Sequence, residues 1–284
     1  MAICGNLYIV STPIGNLADI TIRAIETLKS VQLIAAEDTR HSRKLLDHYQ
    51  ISTPTLSLHA YNEQSRIQKL CERLQLGMNI ALIADAGTPL ISDPGFHLVR
   101  GMREAGIRVV PIPGPCAAIA ALVVSGLPTD QFVFAGFLPA KGAARKKKCA
   151  ELKNEPRTII FYESVHRIIN LIDLLNAEFG STRVATLARE LTKTYETIYQ
   201  ATLADIKQWL QSHPQQIKGE FVVVVQGDVD QKNKKNSFAA IQQSQSLLEI
   251  LLKEMPLKQA VKLTCQITGA RRSVLYSLAL KLQQ

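Results

Sequence analysis

No stretch of this 284-residue sequence stays apolar for long enough to cross a bilayer. The longest uninterrupted run, Cys116 to Val124, is about half of what a spanning helix needs. Met1 to Asn6 lacks the basic start of a signal peptide and the apolar run behind it is short, so the chain reads as cytoplasmic. Cysteine is sparse and odd in number. Cys4, Cys71, Cys116, Cys149 and Cys265 are scattered and form no C-x-x-C pair, which points to reduced thiols and away from a disulfide framework. The six histidines show no zinc-ligand spacing, so no metal is expected. Three chemical signatures are missing as well. Without G-x-G-x-x-G, G-x-x-x-x-G-K-[ST] or G-x-S-x-G, a standard dinucleotide fold, a P-loop NTPase and a nucleophile-elbow hydrolase are all disfavoured.

What is present begins with an apolar content of 46%, enough for real cores in a chain of about two domains. The net charge of +9 is uneven: from Gln231 onward nine Lys or Arg face only Glu249 and Glu254. A net-basic terminal module is the electrostatic footprint of nucleic-acid contact, although scattered lysines also make an ordinary solvated face.

Along the chain, short apolar runs at Leu7–Val10, Val31–Ala36, Thr55–His59, Ile80–Ala84 and Val109–Val110 alternate with helical patterns, the signature of a parallel α/β sheet. The stretch Asn79–Gly95 is the most informative. Its strand stops at Asp85, Gly87 and Pro89 force a turn, and Ser92-Asp93-Pro94 reads as a capped helix start. Such a turn is a natural floor for a polar ligand, or simply a turn of any α/β protein. Leu127-Pro128-Thr129-Asp130 marks a boundary, beyond which strands near 132–136, 158–162, 184–188, 196–201 and 221–225 include a hairpin and predict a mixed sheet. A polar linker at Gly227–Ser237 precedes three helical stretches. The last two flank Thr268-Gly269 with Arg271 and Arg272 behind it, compatible with a helix-turn-helix or with a plain helical hairpin.

Polar clusters follow strand after strand: Thr12-Pro13-Ile14-Gly15-Asn16-Leu17, Glu37-Asp38-Thr39-Arg40, Asp85-Ala86-Gly87-Thr88-Pro89 with Asp93-Pro94-Gly95, Pro113-Gly114-Pro115, Tyr162-Glu163-Ser164 with His166-Arg167, and Arg189-Glu190-Leu191-Thr192-Lys193. Each alone is well explained by capping or ion pairing, but together they predict convergence at one sheet edge. In this order, and with Gly136-Phe137-Leu138-Pro139, they resemble the tetrapyrrole methylase superfamily, and more closely its members that act on the RNA of the small ribosomal subunit. The resemblance covers nearly the whole chain, with Cys116 and Val165 where relatives often have Ser and Pro.

That resemblance implies an α/β fold of two αβα domains, residues 1–127 and 128–228, with S-adenosylmethionine in the interdomain cleft, plus a small C-terminal helical, RNA-contacting domain at 238–284. It implies 2'-O-methylation of a cytidine ribose in the decoding region of 16S rRNA, commonly by a homodimer. Sulfonium-to-hydroxyl transfer is an in-line displacement that asks mainly for alignment and for a proton acceptor. Thr12, Pro13, Gly15, Asn16, Asp85, Ala86, Gly87, Thr88, Pro115 and Ala117 are the expected donor-binding positions, with Asp85 on the donor's amino group. Asp38, Arg40, Glu163, Arg189, Glu190 and Lys193 are expected on the acceptor side, Lys193 or Glu190 taking the proton. Lys141, Arg145, Lys146, Lys147 and Lys148, a basic loop, together with Arg271 and Arg272, are expected to reach RNA phosphates. A tetrapyrrole or other small-molecule methyltransferase shares the fold, and a non-catalytic RNA-binding factor would use the tail alone.

Overall fold

A computed structural model describes residues 4–59, 61–140, 142–229, 244–270 and 272–282. Lys141 and Arg271 lie outside the described residues. The chain divides into two compact units, one of residues 1–150 with 158–226 and one of 151–157 with 227–284.

The first unit holds two five-stranded sheets. β1 (Leu7–Val10), β2 (Leu33–Ala36), β3 (Thr55–Ser57), β4 (Ile80–Ile83) and β5 (Val109–Ile112) lie in the order β3-β2-β4-β1-β5, all parallel. Period-two alternation sends successive residues to opposite faces. Ile34, Ala36, Ala81 and Ile83 pack with Leu28 of α1 (Ile22–Ser30) and Leu45 of α2 (Thr39–His48). Leu33, Ala35, Ile80 and Leu82 pack with Leu70 of α3 (Glu63–Gln75) and Leu98 of α4 (Phe96–Glu104). Both faces are therefore covered, which is why β2 and β4 are uninterrupted apolar runs. From β1 the chain crosses β4 to reach β2, and from β4 it crosses β1 to reach β5. Connections leave this central pair in opposite directions, making a switch point at its carboxyl ends.

α5 (Ala117–Val124) leads out of β5 and packs on the second sheet, where Ala118, Ala121 and Leu122 meet Ile160, Val222 and Val224. That sheet contains β6 (Phe132–Phe137), β7 (Thr158–Ser164), β8 (Val184–Arg189), β9 (Thr197–Thr202) and β10 (Glu220–Val225), in the order β6-β7-β10-β8-β9. Only β6 and β7 are parallel, and β8 with β9 forms the expected hairpin. α7 (Ile168–Phe179) and α8 (Leu203–Ser212) complete this half.

Two local expectations change. The Ser92-Asp93-Pro94 segment does not start a helix: α4 begins at Phe96 behind Gly95, whose φ of 124° serves the turn, and Ser92 itself sits at φ 71°. The basic residues 145–148 lie on α6 (Gly142–Glu151), close to the helix the sequence suggests near 145–153, and not in a loop.

In the second unit, helical residues 244–254 (α9), α10 (Leu257–Thr268) and α11 (Arg272–Leu282) bury Leu248, Ala260, Val261, Leu275 and Ala279 against one another. Gly269, left-handed at φ 68°, ends α10 with its N–H donating to the Cys265 carbonyl. Among the described residues no helix is long and apolar enough to cross a membrane.

Candidate active site

At the switch point, the chain after β1 and the chain after β4 are tied by reciprocal backbone hydrogen bonds, Thr12 N–H to the Gly87 carbonyl at 2.9 Å and Gly87 N–H to the Thr12 carbonyl at 3.0 Å. Gly87 has φ 81°, and a Cβ there would press on Ile14. Thr88 Oγ1 then donates to the Pro115 carbonyl at 2.9 Å, fixing the approach to α5. Across the gap the Asn16 N–H donates to Thr192 Oγ1 at 3.1 Å, and Gly15 lies so near the Lys193 side chain that any Cβ would collide with it.

These links frame a cavity of about 400 Å³, within the size range of small-ligand sites. The first sheet lines it with Ile14, Glu37, Asp85–Thr88 and Ile91–Asp93; the start of α5 adds Cys116 and Ala117; the second sheet adds Phe137, Tyr162–Ser164, Ala188, Leu191 and Glu220–Val222. No Lys, Arg or His is among its described lining residues. Burial, and then the Asp85 charge, raises the Glu37 carboxyl. Burial, followed by the charges of Glu37 and Asp85, pushes Asp93 up to about 7. Of the five carboxyl groups that line the space, Glu37, Asp85 and Asp93 have no ion pair among the described residues, an arrangement complementary to a positively charged ligand. Tyr162 keeps its proton, raised chiefly by burial, and its hydroxyl oxygen accepts from the Ala118 N–H at 2.9 Å.

Beside this cavity lies a recess of about 280 Å³ that shares Ile14, Asp85, Ala86 and Glu220 with it. Lys44 and Lys193 bring positive charge to its lining beside His41, and the buried Ser42 hydroxyl there has no hydrogen-bond partner among the described residues. Cavity and recess together divide the residues expected to bind the donor. Gly87, Thr88 and Ala117 line the cavity; Asp85 and Ala86 line both spaces; Thr12, Pro13 and Gly15 line only the recess. Pro115 contributes its carbonyl to Thr88, and Asn16 caps the short helical turn Leu17–Asp19, so neither lines either space.

Several residues expected on the acceptor side carry charge that is paired within the protein. Glu163, with a fully buried side chain, pairs with Arg145 at 2.8 Å and Arg167 at 2.9 Å. Arg189 is buried and donates to the carbonyls of Lys218 at 2.9 Å and Tyr195 at 3.2 Å, bracing the loop instead of facing the cavity. Asp38 caps α2 through the Arg40 N–H and pairs with the Arg40 side chain at 3.1 Å, an interaction that holds its carboxyl down at about 2. Lys193 binds Glu190 at 2.9 Å and Glu220 at 3.0 Å. Burial alone would lower the Lys193 ammonium, yet these two hydrogen bonds outweigh it and hold the group above its ordinary value. Burial likewise opposes the Glu190 charge, but Lys193 and the Glu220 N–H hold that carboxyl down. In the ligand-free chain the pair is thus an ammonium and a stabilised carboxylate, and taking up a proton would require one of these contacts to open. Arg145 is placed differently from the other basic residues of its run. On α6 it faces inward with Cys149, one turn on, while Lys146, Lys147 and Lys148 are exposed, as is Arg272 on α11.

Glu37 and Asp93 were not singled out from sequence as site residues. Their signal was present, since each lies inside a strand-end cluster, but a cap and a helix start explained those clusters equally well.

The profile of the tetrapyrrole (corrin/porphyrin) methylases matches residues 6–207. The chain belongs to that family. A second profile, the RsmI C-terminal HTH domain, matches residues 239–283. Among tetrapyrrole methylases with curated names, the chain is 52% identical over 276 residues to the ribosomal RNA small subunit methyltransferase I of Haemophilus influenzae, covering 97% of this chain and 96% of that one. It is 50% identical over 279 residues to the enzyme of the same name from Escherichia coli O157:H7, covering 98% and 96%. The chain is thus a member of the small subunit methyltransferase I group. Of solved tetrapyrrole methylases, the uroporphyrin-III C-methyltransferase of Thermus thermophilus, crystallised with S-adenyl homocysteine, superposes with a TM-score of 0.53 at 15% identity over 79% of this chain and 98% of that one. That likeness concerns the fold.

Proposed function

We propose that the protein transfers a methyl group from S-adenosylmethionine to the 2'-hydroxyl of a cytidine ribose in the decoding region of 16S rRNA. The observation that carries this reading is the cavity at the switch point, where three of five carboxyl groups, Glu37, Asp85 and Asp93, have no ion pair and no basic side chain lines the space among the described residues. S-adenosylmethionine presents a sulfonium and an ammonium, and supplies the electrophilic methyl. Glu37, Asp85 and Asp93 would hold those positive charges, Asp85 taking the ammonium, while Ile14, Phe137 and Leu191 supply apolar wall and keep water away. The names of relatives that align end to end, tail included, support RNA as the acceptor.

The adjacent recess is the acceptor's place in this reading. It shares a wall with the donor cavity, its His41, Lys44 and Lys193 suit a phosphate-bearing ligand, and the Ser42 hydroxyl is uncommitted. Alignment of the two spaces supplies the orientation that an in-line displacement requires. Lys146–Lys148, Arg272 and the basic tail add phosphate contacts; Lys141 and Arg271 belong to the same proposal by sequence alone. We assign residues 1–127, 128–228 and 238–284 as the three parts of the chain, in the cytoplasm and as a homodimer. Exposed Ile119 and Val123, one helical turn apart on α5, give a dimer an apolar face to cover.

Transfer of labelled methyl from S-adenosylmethionine to small ribosomal subunits and to free 16S rRNA tests the reading. Label on a cytidine ribose of either substrate supports it. Label on neither RNA, or on a tetrapyrrole instead, overturns it.

A further inference from the structure

The carboxyl groups that line the donor cavity differ in what holds them. Asp85 Oδ1 accepts the Asp38 N–H at 3.0 Å. Glu163 is closed off by Arg145 and Arg167, and Glu220 is held by Lys193 at 3.0 Å. Asp93 has no hydrogen bond and no ion pair among the described residues. It sits on an irregular loop in which Leu90 and Ser92 both take left-handed backbone, at φ 73° and 71°. Such conformations cost non-glycine residues about 1 kcal/mol or more and persist where the surroundings impose them. Ser92 is wedged beside Gly136 at the bulge in β6, so the loop that carries Asp93 is pinned from the second sheet.

We infer that Asp93 contacts the methyl donor and that donor uptake expels the proton that Asp93 carries in the donor-free cavity. This rests on the donor reading given above.

The groups facing Asp93 all push one way. Glu37 at the end of β2 and Asp85 after β4 are negative, and burial adds to their effect. The Tyr162 hydroxyl on β7 stays neutral, the Cys116 thiol faces the same space, and Glu163 and Glu220 are neutralised by their own partners. His59, beyond the end of β3, acts on Glu37 and opposes part of its rise. An isolated acid among like charges holds its proton; a bound cation reverses the local field and releases it. The proton leaves Asp93 for solvent as the donor's positive charge arrives, so the net charge of the cavity falls by one as the ligand's charge enters. The methyl-transfer step itself is untouched: its O–C bond forms and its S–C bond breaks as before.

Isothermal titration of the full chain with S-adenosylmethionine, in buffers of different ionisation enthalpy, measures the proton directly. At pH 7 about half a proton per site is expected to leave, rising toward one at pH 6 and toward none at pH 8.5, and affinity is expected to weaken about ten-fold from pH 8.5 to pH 6. Asp93→Asn is expected to abolish the release and flatten the pH dependence, whereas Asp93→Glu retains both. Binding by the wild-type chain without proton release overturns this inference and leaves the donor reading standing, and so does release that survives in Asp93→Asn. Absence of donor binding at every pH overturns both.

Discussion

The two halves of the first unit bring charge to the same cavity in opposite states. From the parallel sheet come Glu37, Asp85 and Asp93, with no basic side chain against them in the cavity; from the mixed sheet come Glu163 and Glu220, each already held by arginine or lysine. The difference follows from topology. A switch point splays the connections apart and leaves a crevice where no neighbouring chain supplies a counter-charge. The antiparallel strands of the second sheet keep their ends and loops in mutual contact, so Arg189 reaches the carbonyls of Lys218 and Tyr195 and Lys193 reaches Glu190 and Glu220. Paired charge belongs to the architecture, and unpaired charge is left for a ligand.

The sharpest way to break that comparison is to unpair the second half. Arg145→Ala leaves the buried Glu163 with Arg167 alone, and loss of one charged hydrogen bond costs about 1.5–3 kcal/mol. Urea denaturation should show that loss, while Lys146→Ala, one residue along and exposed, stays within about 0.5 kcal/mol of wild type. Equal stability in the two variants would mean that the Arg145 pair is not architectural. In the first half the opposite pattern is expected. Asp85→Asn keeps an oxygen able to accept the Asp38 N–H, so folding should hold, but removing a charged acceptor worth about 1.5–3 kcal/mol should weaken donor binding about 10- to 100-fold by calorimetry. A smaller effect is predicted for Lys193, which faces the recess while bound to Glu190 and Glu220. Lys193→Ala should weaken RNA binding about five-fold, equivalent to about 1 kcal/mol, and leave the acid limb of the rate profile in place. Loss of that limb would identify lysine as the proton acceptor.

This division of labour also explains how much could be read from the sequence. The strands and the hairpin were legible largely because burial on two faces demands apolar runs. The convergence of strand-end clusters was legible too. What a linear pattern does not carry is which partner a charged residue meets. Arg145 looked like one of four equivalent basic residues until a helix turned it about 100° from its neighbour and into the core. Arg189 and Glu163 sit at strand ends, but the sequence does not show that Arg189 meets the Lys218 carbonyl or that Arg145 and Arg167 close on Glu163. Asp93 was hidden by local chemistry: Ser-Asp-Pro is a good helix start, but the helix begins at Phe96 and leaves the carboxyl in the cavity.

Asp93 also yields the smallest predicted effect and the one that most refines the comparison. A carboxyl raised to about 7 in the folded chain, from an unfolded value near 4, binds more protons folded than unfolded across that window. Its contribution to stability is therefore fully present below pH 4 and is lost as the pH rises through 7. At pH 8 the donor-free protein carries an uncompensated charge that Asp93→Asn removes, so the variant should melt higher than wild type, by about 2–4 °C if the relief is about 1 kcal/mol. At pH 4 the advantage should vanish. Adding saturating S-adenosylmethionine at pH 8 should reverse the order, because only the wild-type carboxylate then gains a cation. A variant that melts lower than wild type at pH 8 without donor would place Asp93 among the paired, architectural charges of the second half and erase the distinction between the two sheets at that position.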